Sequence, residues 1–207
     1  MFIFNSIKNI QMIGFNYKKA VFTLAYFAQK EGGIINKMKA FKLIWLSDSL
    51  HLRKYGRPIL NDVYFALPKG PIPSSTKDLA DNSDFLSETE KELREQFIEN
   101  PSRYAIKAKM ELQKNVFSQS DLEVIDTVYE NFGTFSEFQL SELSHQYPEW
   151  KKFENGLSLG HSSRFEMDYQ DFFVHSEQLH PIFEQDKELL ALNKDVFIEN
   201  QIIENLV

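Results

Sequence analysis

Between Gly56 and Pro73 this chain cannot form one regular element. Gly56 is followed by Arg57-Pro58, and Pro68-Lys-Gly-Pro-Ile-Pro73 brings further fixed φ angles and missing N–H donors, so a helix can neither enter nor leave this stretch unbroken. The intervening residues 62–67, Asp-Val-Tyr-Phe-Ala-Leu, are β-rich. The reading is a helix stop, a change of direction, a short strand and a rigid turn.

Helical signals lie on both sides. Asn16 can cap a first helix with Val21, Leu24, Ala25 and Ala28 at helical spacing and Gly32-Gly33 at its end. Asn36 can cap a second, with Met38, Phe41, Trp45 and Leu52 on one side, Ile44 adjoining, and Gly56 as its stop. Downstream, Ser75 with Asp78, Ser87 with Glu90 and Ser118 with Asp121 read as capping boxes. The last opens a helix through Leu122, Ile125, Val128, Tyr129 and Phe132 to Gly133, and Thr134 or Ser136 restarts the chain through Leu140 and Leu143 to His145. Tyr104, Ile106, Ala108 and Met110 alternate with more polar residues, which predicts a half-buried strand pairing with residues 60–67. Turn formers in residues 154–160 mark a candidate boundary, and a last amphipathic helix is predicted around residues 196–206. The expected fold class is mainly α (α+β), a compact helical domain with a small antiparallel β element. Residues 1–158 are expected to form the domain, and residues 159–207 an acidic aromatic extension packing on it or on a partner.

The 207 residues are 43% hydrophobic and include 19 phenylalanines, enough apolar area for a real core, so disorder throughout is excluded. No cysteine is present, which excludes a disulfide framework, a thiol nucleophile, an iron–sulfur cluster and a thiolate zinc site, and suits a reducing compartment. The start, MFIFNSIKNIQMIGF, lacks the continuous apolar core of a signal peptide, and no run approaches the roughly 20 apolar residues of a membrane span. A soluble, cytoplasmic protein is expected. The net charge of -7 hides a gradient. Residues 1–57 carry ten Lys/Arg and two Asp/Glu, whereas residues 166–207 carry two and ten. The two poles can pair within the fold or face partners.

The densest cluster of motifs, residues 42–74, resembles the core signature of the Panacea domain, also described as the SocA-like antitoxin domain. Lys42, Trp45 and Asp48 lie on its helix. His51, Arg53, Tyr55, Gly56, Arg57 and Pro58 belong to an HLRKYGRP segment, Asp62 and Tyr64 to its strand, and Gly70, Pro71, Pro73 and Ser74 to its GP-x-P turn. His145, within Leu-Ser-His, and Trp150 resemble the closing motif. The similarity covers roughly residues 17–153. Ser49 stands where the family often has an acidic residue, and Trp45 where a tyrosine is typical. The resemblance implies an antitoxin of a type II-like toxin–antitoxin system, found in bacteria and prophages, that neutralises a cognate toxin encoded beside it by direct protein–protein binding. It implies no enzymatic activity.

Read by chemistry alone, Asp48, His51 and Arg53 near one helix end allow an Asp48–His51 contact or an Asp–Arg pair. These three are either an internal polar network or, in the alternative reading, the cleft of a small enzyme with Asp48 as base or metal ligand. His51, His145, His161, His175 and His180 form no HExxH and no i,i+4 pair, and neither a G-x-S-x-G elbow nor a phosphate-binding glycine loop occurs, so no cofactor and no metal is expected. Nucleic acid is disfavoured by the acidic whole, except through a complex or in a phage-associated DNA-binding regulator, a further alternative. In the tail, Phe172, Phe173, Phe183 and Phe197 stand among carboxylates, a mixture that can dock on a cationic toxin or pack back on the basic amino-terminal region.

Overall fold

The computed structural model describes residues 14–110 and 114–205; the opening segment read against a signal peptide lies almost wholly outside them. Asn16 accepts the Lys19 N–H at 3.0 Å and opens α1 (Tyr17–Lys30). Asn36 accepts the N–H groups of Met38 and Lys39 at 2.8 and 3.3 Å and opens α2 (Lys37–Tyr55), which Gly56 closes at φ +65°. The single apolar side expected for α2 is too narrow. Every residue of this helix from Lys37 to Arg53 except Met38 is buried, because α1 and the elements introduced below surround it.

The strands are β1 (Ile34–Asn36), β2 (Tyr64–Leu67), β3 (Gly70–Pro73), β4 (Ile98–Ser102), β5 (Ala105–Ala108) and β6 (Phe165–Glu166). They form two antiparallel sheets, ordered β1-β5-β4 and β3-β2-β6, with Ile35 opposite Ile106 and Tyr64 opposite Pro73. The predicted pairing of residues 104–110 with 60–67 does not occur. Each of those segments finds a neighbour across a two-residue turn, β2 with β3 over Pro68-Lys69 and β5 with β4 over Arg103-Tyr104, and closing a short loop costs less entropy than a long one.

The remaining helices are α3 (Ser74–Asp81), α4 (Glu88–Phe97), α5 (Gln119–Phe132), α6 (Glu137–Ser144), α7 (Pro148–Lys151), α8 (Glu154–Ser158) and α9 (Lys187–Asn205). Ser87, Ser118 and Ser136 each form a capping box, with Glu90, Asp121 and Gln139, so Ser136 rather than Thr134 restarts the chain. Ser75 is not a cap. Asp62 reaches across to accept the N–H groups of Ser75 and Thr76 at 2.8 and 2.7 Å, taking over the capping of α3. Residues 154–158 are helical, and α9 begins at Lys187 rather than near Val196.

The core sits around α2, which α1, α5, α6, α9 and β3 contact. Residues beyond 160 contribute to it: β6 extends the second sheet, and Phe172, Phe173, Phe183, Leu190 and Phe197 are buried in the same cluster as Leu43, Trp45 and Leu46. Among the described residues no helix is long and apolar enough to cross a membrane.

The contact between Gly56 and α9 is tight. A Cβ on Gly56 would lie 2.7 Å from the Asn193 carbonyl oxygen, and the φ of +65° disfavours any L side chain. Gly56→Ala is therefore expected to lower stability by about 2 kcal/mol in urea denaturation, with α9 the first element to lose amide protection in hydrogen exchange.

Candidate functional site

Because α2 is buried all round, each of its polar side chains needs an internal partner. Asp48 is fully buried and accepts the N–H groups of Ile59 and Leu60 at 2.7 and 3.2 Å and the Tyr64 hydroxyl at 2.9 Å. These bonds fix the chain just after Pro58 and tie it to β2. Burial pushes the Asp48 carboxyl up to about 7, against the lowering influence of its three donors.

His51 turns to a different network. Its Nδ1–H donates to the Arg57 carbonyl at 2.8 Å, and Nε2 lies 3.2 Å from Ser120 Oγ and 3.3 Å from Asp121 Oδ1. Asp121 also receives Lys19 Nζ at 2.6 Å, Arg57 Nη2 at 3.0 Å and the Ser118 N–H at 2.9 Å. Burial acts to raise its pKa, but bonds from His51, Lys19 and Ser118 outweigh this and hold the carboxyl well below the usual range. The Asp48–His51 contact that the spacing allows is absent, because Asp48 is taken by Ile59, Leu60 and Tyr64 and His51 by Arg57, Ser120 and Asp121.

Arg53 reaches the tail. Its Nε donates to the Phe183 carbonyl at 2.9 Å and Nη1 to those of Phe172 and Val174 at 2.7 and 3.1 Å, while Asn193 Nδ2 donates to the Arg53 carbonyl at 2.8 Å. It bonds carbonyls, not Asp48; the buried Glu149 supplies the nearby negative charge. Burial pushes Glu149 up to about 7. Two buried donors, Arg53 Nη2 and Trp45 Nε1, have no partner among the described residues.

The other signature positions complete the frame. Lys42 Nζ donates to the Pro71 carbonyl at 2.6 Å, and burial lowers its pKa to about 7. Gly70 has φ +93°, and a Cβ there would sit 2.1 Å from Ser144 Oγ and 2.8 Å from Lys42 Nζ. Trp45 packs edge-on to Tyr147 at 4.7 Å, and Trp150 stacks on His145 at 3.9 Å while donating Nε1–H to the Leu67 carbonyl at 2.9 Å. Ser74 N–H donates to the Val63 carbonyl, next to Pro73, and Tyr55 hydroxyl reaches Glu123 at the surface. Pro58 leads into the segment that Asp48 holds.

The four rings that could either dock on a partner or pack back on the chain do not form a surface. Phe172, Phe173, Phe183 and Phe197 are buried in this chain's own core, with Phe183 against Tyr147 and Phe132, and Phe197 against Tyr169 and Phe173. Their apolar area is satisfied internally. Nor do the charge poles meet: among the described residues the cations of residues 14–57 pair with Glu31, Asp81, Asp121, Glu123 and Asp126, and none with an acid beyond 165. Among the described residues no group of three or more His, Asp or Glu could hold a metal ion.

A surface opening of about 1350 Å³ lies where the start of α2, the β2–β3 turn, the end of α3, α4, the β4–β5 hairpin and the start of α6 converge. Phe41, Leu67 and Ile72 line it, and Tyr104 and Phe138, 67% and 62% exposed, stand among its residues. Sequence reasoning did not assemble this groove, since its walls come from six separate parts of the fold. Asp121 and Glu149 were also missed as buried charges; the first was visible as a capping residue, while the second carries no local signal.

These features define a mainly helical module whose polar signature is turned inward. The family model described as antitoxin SocA-like, Panacea domain, matches residues 41–151, and the chain belongs to that family. Every signature position named above lies within the match. No curated protein and no solved structure matches the chain.

Two outcomes follow. The unfolded Asp48 carboxyl ionises near 3.8 and the folded one near 7, so the stability it contributes is complete below 3.8 and is lost as pH rises through 7. Asp48→Asn removes that titration, and in urea melts it should gain on the native chain by roughly 2 kcal/mol between pH 5 and pH 8. Arg53→Met strands the buried carbonyls of Phe172 and Phe183 and should cost about 3 kcal/mol, with loss of hydrogen-exchange protection concentrated beyond residue 165.

Proposed function

We propose that the protein is the antitoxin of a two-gene toxin–antitoxin pair in the bacterial or prophage cytoplasm, and that it neutralises a cognate toxin by direct binding, without catalysis. Family membership supports the antitoxin role. The observation that carries the binding mode is the occupation of Asp48, His51 and Arg53 by backbone groups and side chains of their own chain. A carboxylate with three internal donors and a guanidinium bonded to three carbonyls are already spent on structure, which leaves surfaces rather than a cleft of reactive groups to act. In the same reading residues 1–158 carry the antitoxin module and residues 159–207 a segment seated on it through Arg53.

Expression of the adjacent reading frame alone should arrest growth, and supplying this protein should restore it. A neighbour that is harmless alone, or one that stays toxic in the presence of this chain, ends the antitoxin reading. Asp48→Ala and His51→Ala separate binding from catalysis. They should lower the melting temperature and weaken rescue in proportion to the folded protein lost; a fully stable variant devoid of activity would instead favour an enzyme.

A further inference from the structure

The groove carries an unbalanced charge. Four cations line it, Lys37, Lys69, Arg94 and Arg103, with three acids, Asp81, Glu99 and Glu137. Two of the acids are already neutralised: Asp81 pairs with Lys37 at 2.7 Å and Lys77 at 2.8 Å, and Glu99 with Lys107 at 2.8 Å. Glu137 is held by Asn36 Nδ2 at 3.2 Å. Lys69, Arg94 and Arg103 have no ion-pair partner among the described residues.

Arg94 is the informative one. It is only 5% exposed, and its Nε donates to the Leu79 carbonyl at 2.9 Å, yet its two terminal nitrogens make no hydrogen bond among the described residues and the side chain lines the groove. The stem of Arg94 is packed and its fork is left open to the groove, and a carboxylate is the group whose geometry matches that fork. Around it are Phe41, Leu67 and Ile72, with Tyr104 and Phe138 exposed beside them. Exposed aromatics next to an apolar floor are the usual anchors of protein recognition. Phosphate-rich nucleic acid fits less well, because the floor offers apolar side chains where a phosphate backbone would lie.

We propose that this groove docks an acidic segment of the partner protein, with carboxylates placed on Arg94, Lys69 and Arg103 and apolar side chains set against Tyr104, Phe138 and the floor. The proposal rests on the direct-binding antitoxin reading and names the surface that performs it. It places recognition on the cationic groove rather than on the acidic tail. Apart from Asn36, Lys37 and Met38, the groove lies within residues 41–151, the part of the chain that the family match covers.

The test uses the full chain and the product of the adjacent reading frame. Lys69→Glu/Arg103→Glu changes only exposed side chains, so the melting temperature should stay within a few degrees while affinity for the toxin falls about tenfold or more and rescue weakens. In a parallel arm, fluorescence anisotropy follows a labelled peptide of four Asp-Phe-Glu-Leu repeats and its Lys-Phe-Lys-Leu counterpart. The acidic peptide should bind the native chain, lose affinity for the double variant and compete with the toxin, while the basic one should not bind. If the native chain neutralises the toxin and the double variant does so with unchanged affinity, the groove proposal is wrong and the antitoxin reading stands. If the native chain does not neutralise the toxin, the antitoxin reading and the proposed partner both fall. Equal binding of the two peptides overturns the charge argument. Binding of the chain's own promoter duplex, or self-association, that is abolished by the double variant while toxin affinity is untouched would reassign the groove.

Discussion

A helix enclosed on every side must find an internal partner for each polar group it carries, and α2 carries Lys42, Asp48, His51 and Arg53 into the centre of the molecule. Their partners are irregular backbone: the carbonyl of Pro71, the N–H groups of Ile59 and Leu60, the carbonyl of Arg57, and the carbonyls of Phe172, Val174 and Phe183. One helix thereby sets the position of the hairpin, the segment after Pro58 and the tail. The cost is desolvation, seen in the raised carboxyl of Asp48 and the lowered ammonium of Lys42. The gain is that loops unable to satisfy their own backbone groups are held in one arrangement.

The charge gradient has a related explanation. The basic amino-terminal region is balanced by acids of the middle of the chain, Asp81, Asp121, Glu123 and Asp126, and Arg53 meets tail carbonyls instead of tail carboxylates. Among the described residues one tail acid forms an ion pair, Asp171 with Lys152, and the others in that part of the chain stay unpaired. The tail is held by aromatic packing and main-chain acceptors, so its negative field remains at the surface. The groove is of opposite character, with Lys69, Arg94 and Arg103 outside any ion pair among the described residues.

Much of the local order was legible because its causes are local. Asn16, Asn36, Ser87, Ser118 and Gly56 act within a turn of their own position, and each stands where the sequence pattern places it. The motif order of residues 42–74 was legible for the same reason, as was the mainly helical class. Ser75 misled because its Ser-x-x-Asp pattern is local, while the cap of α3 comes from Asp62, more distant in the chain. The strand at residues 105–108 was visible by alternation, but its partners β1 and β4 were not, since alternation says which face is buried and nothing about the neighbour.

By itself the sequence determined where helices start and stop, that the stretch from Gly56 to Pro73 must reverse, and that the residues of a Panacea signature are present in order. Those are matters of backbone sterics, short-range hydrogen bonding and residue identity. Tertiary structure alone decided that Asp48, His51 and Arg53 serve three separate networks, that Phe172, Phe173, Phe183 and Phe197 are core rather than surface, and that Arg94 holds an unclaimed fork beside exposed Tyr104 and Phe138. Each of these depends on contacts between residues far apart in the chain, and a buried charge acquires its meaning only from the groups that surround it.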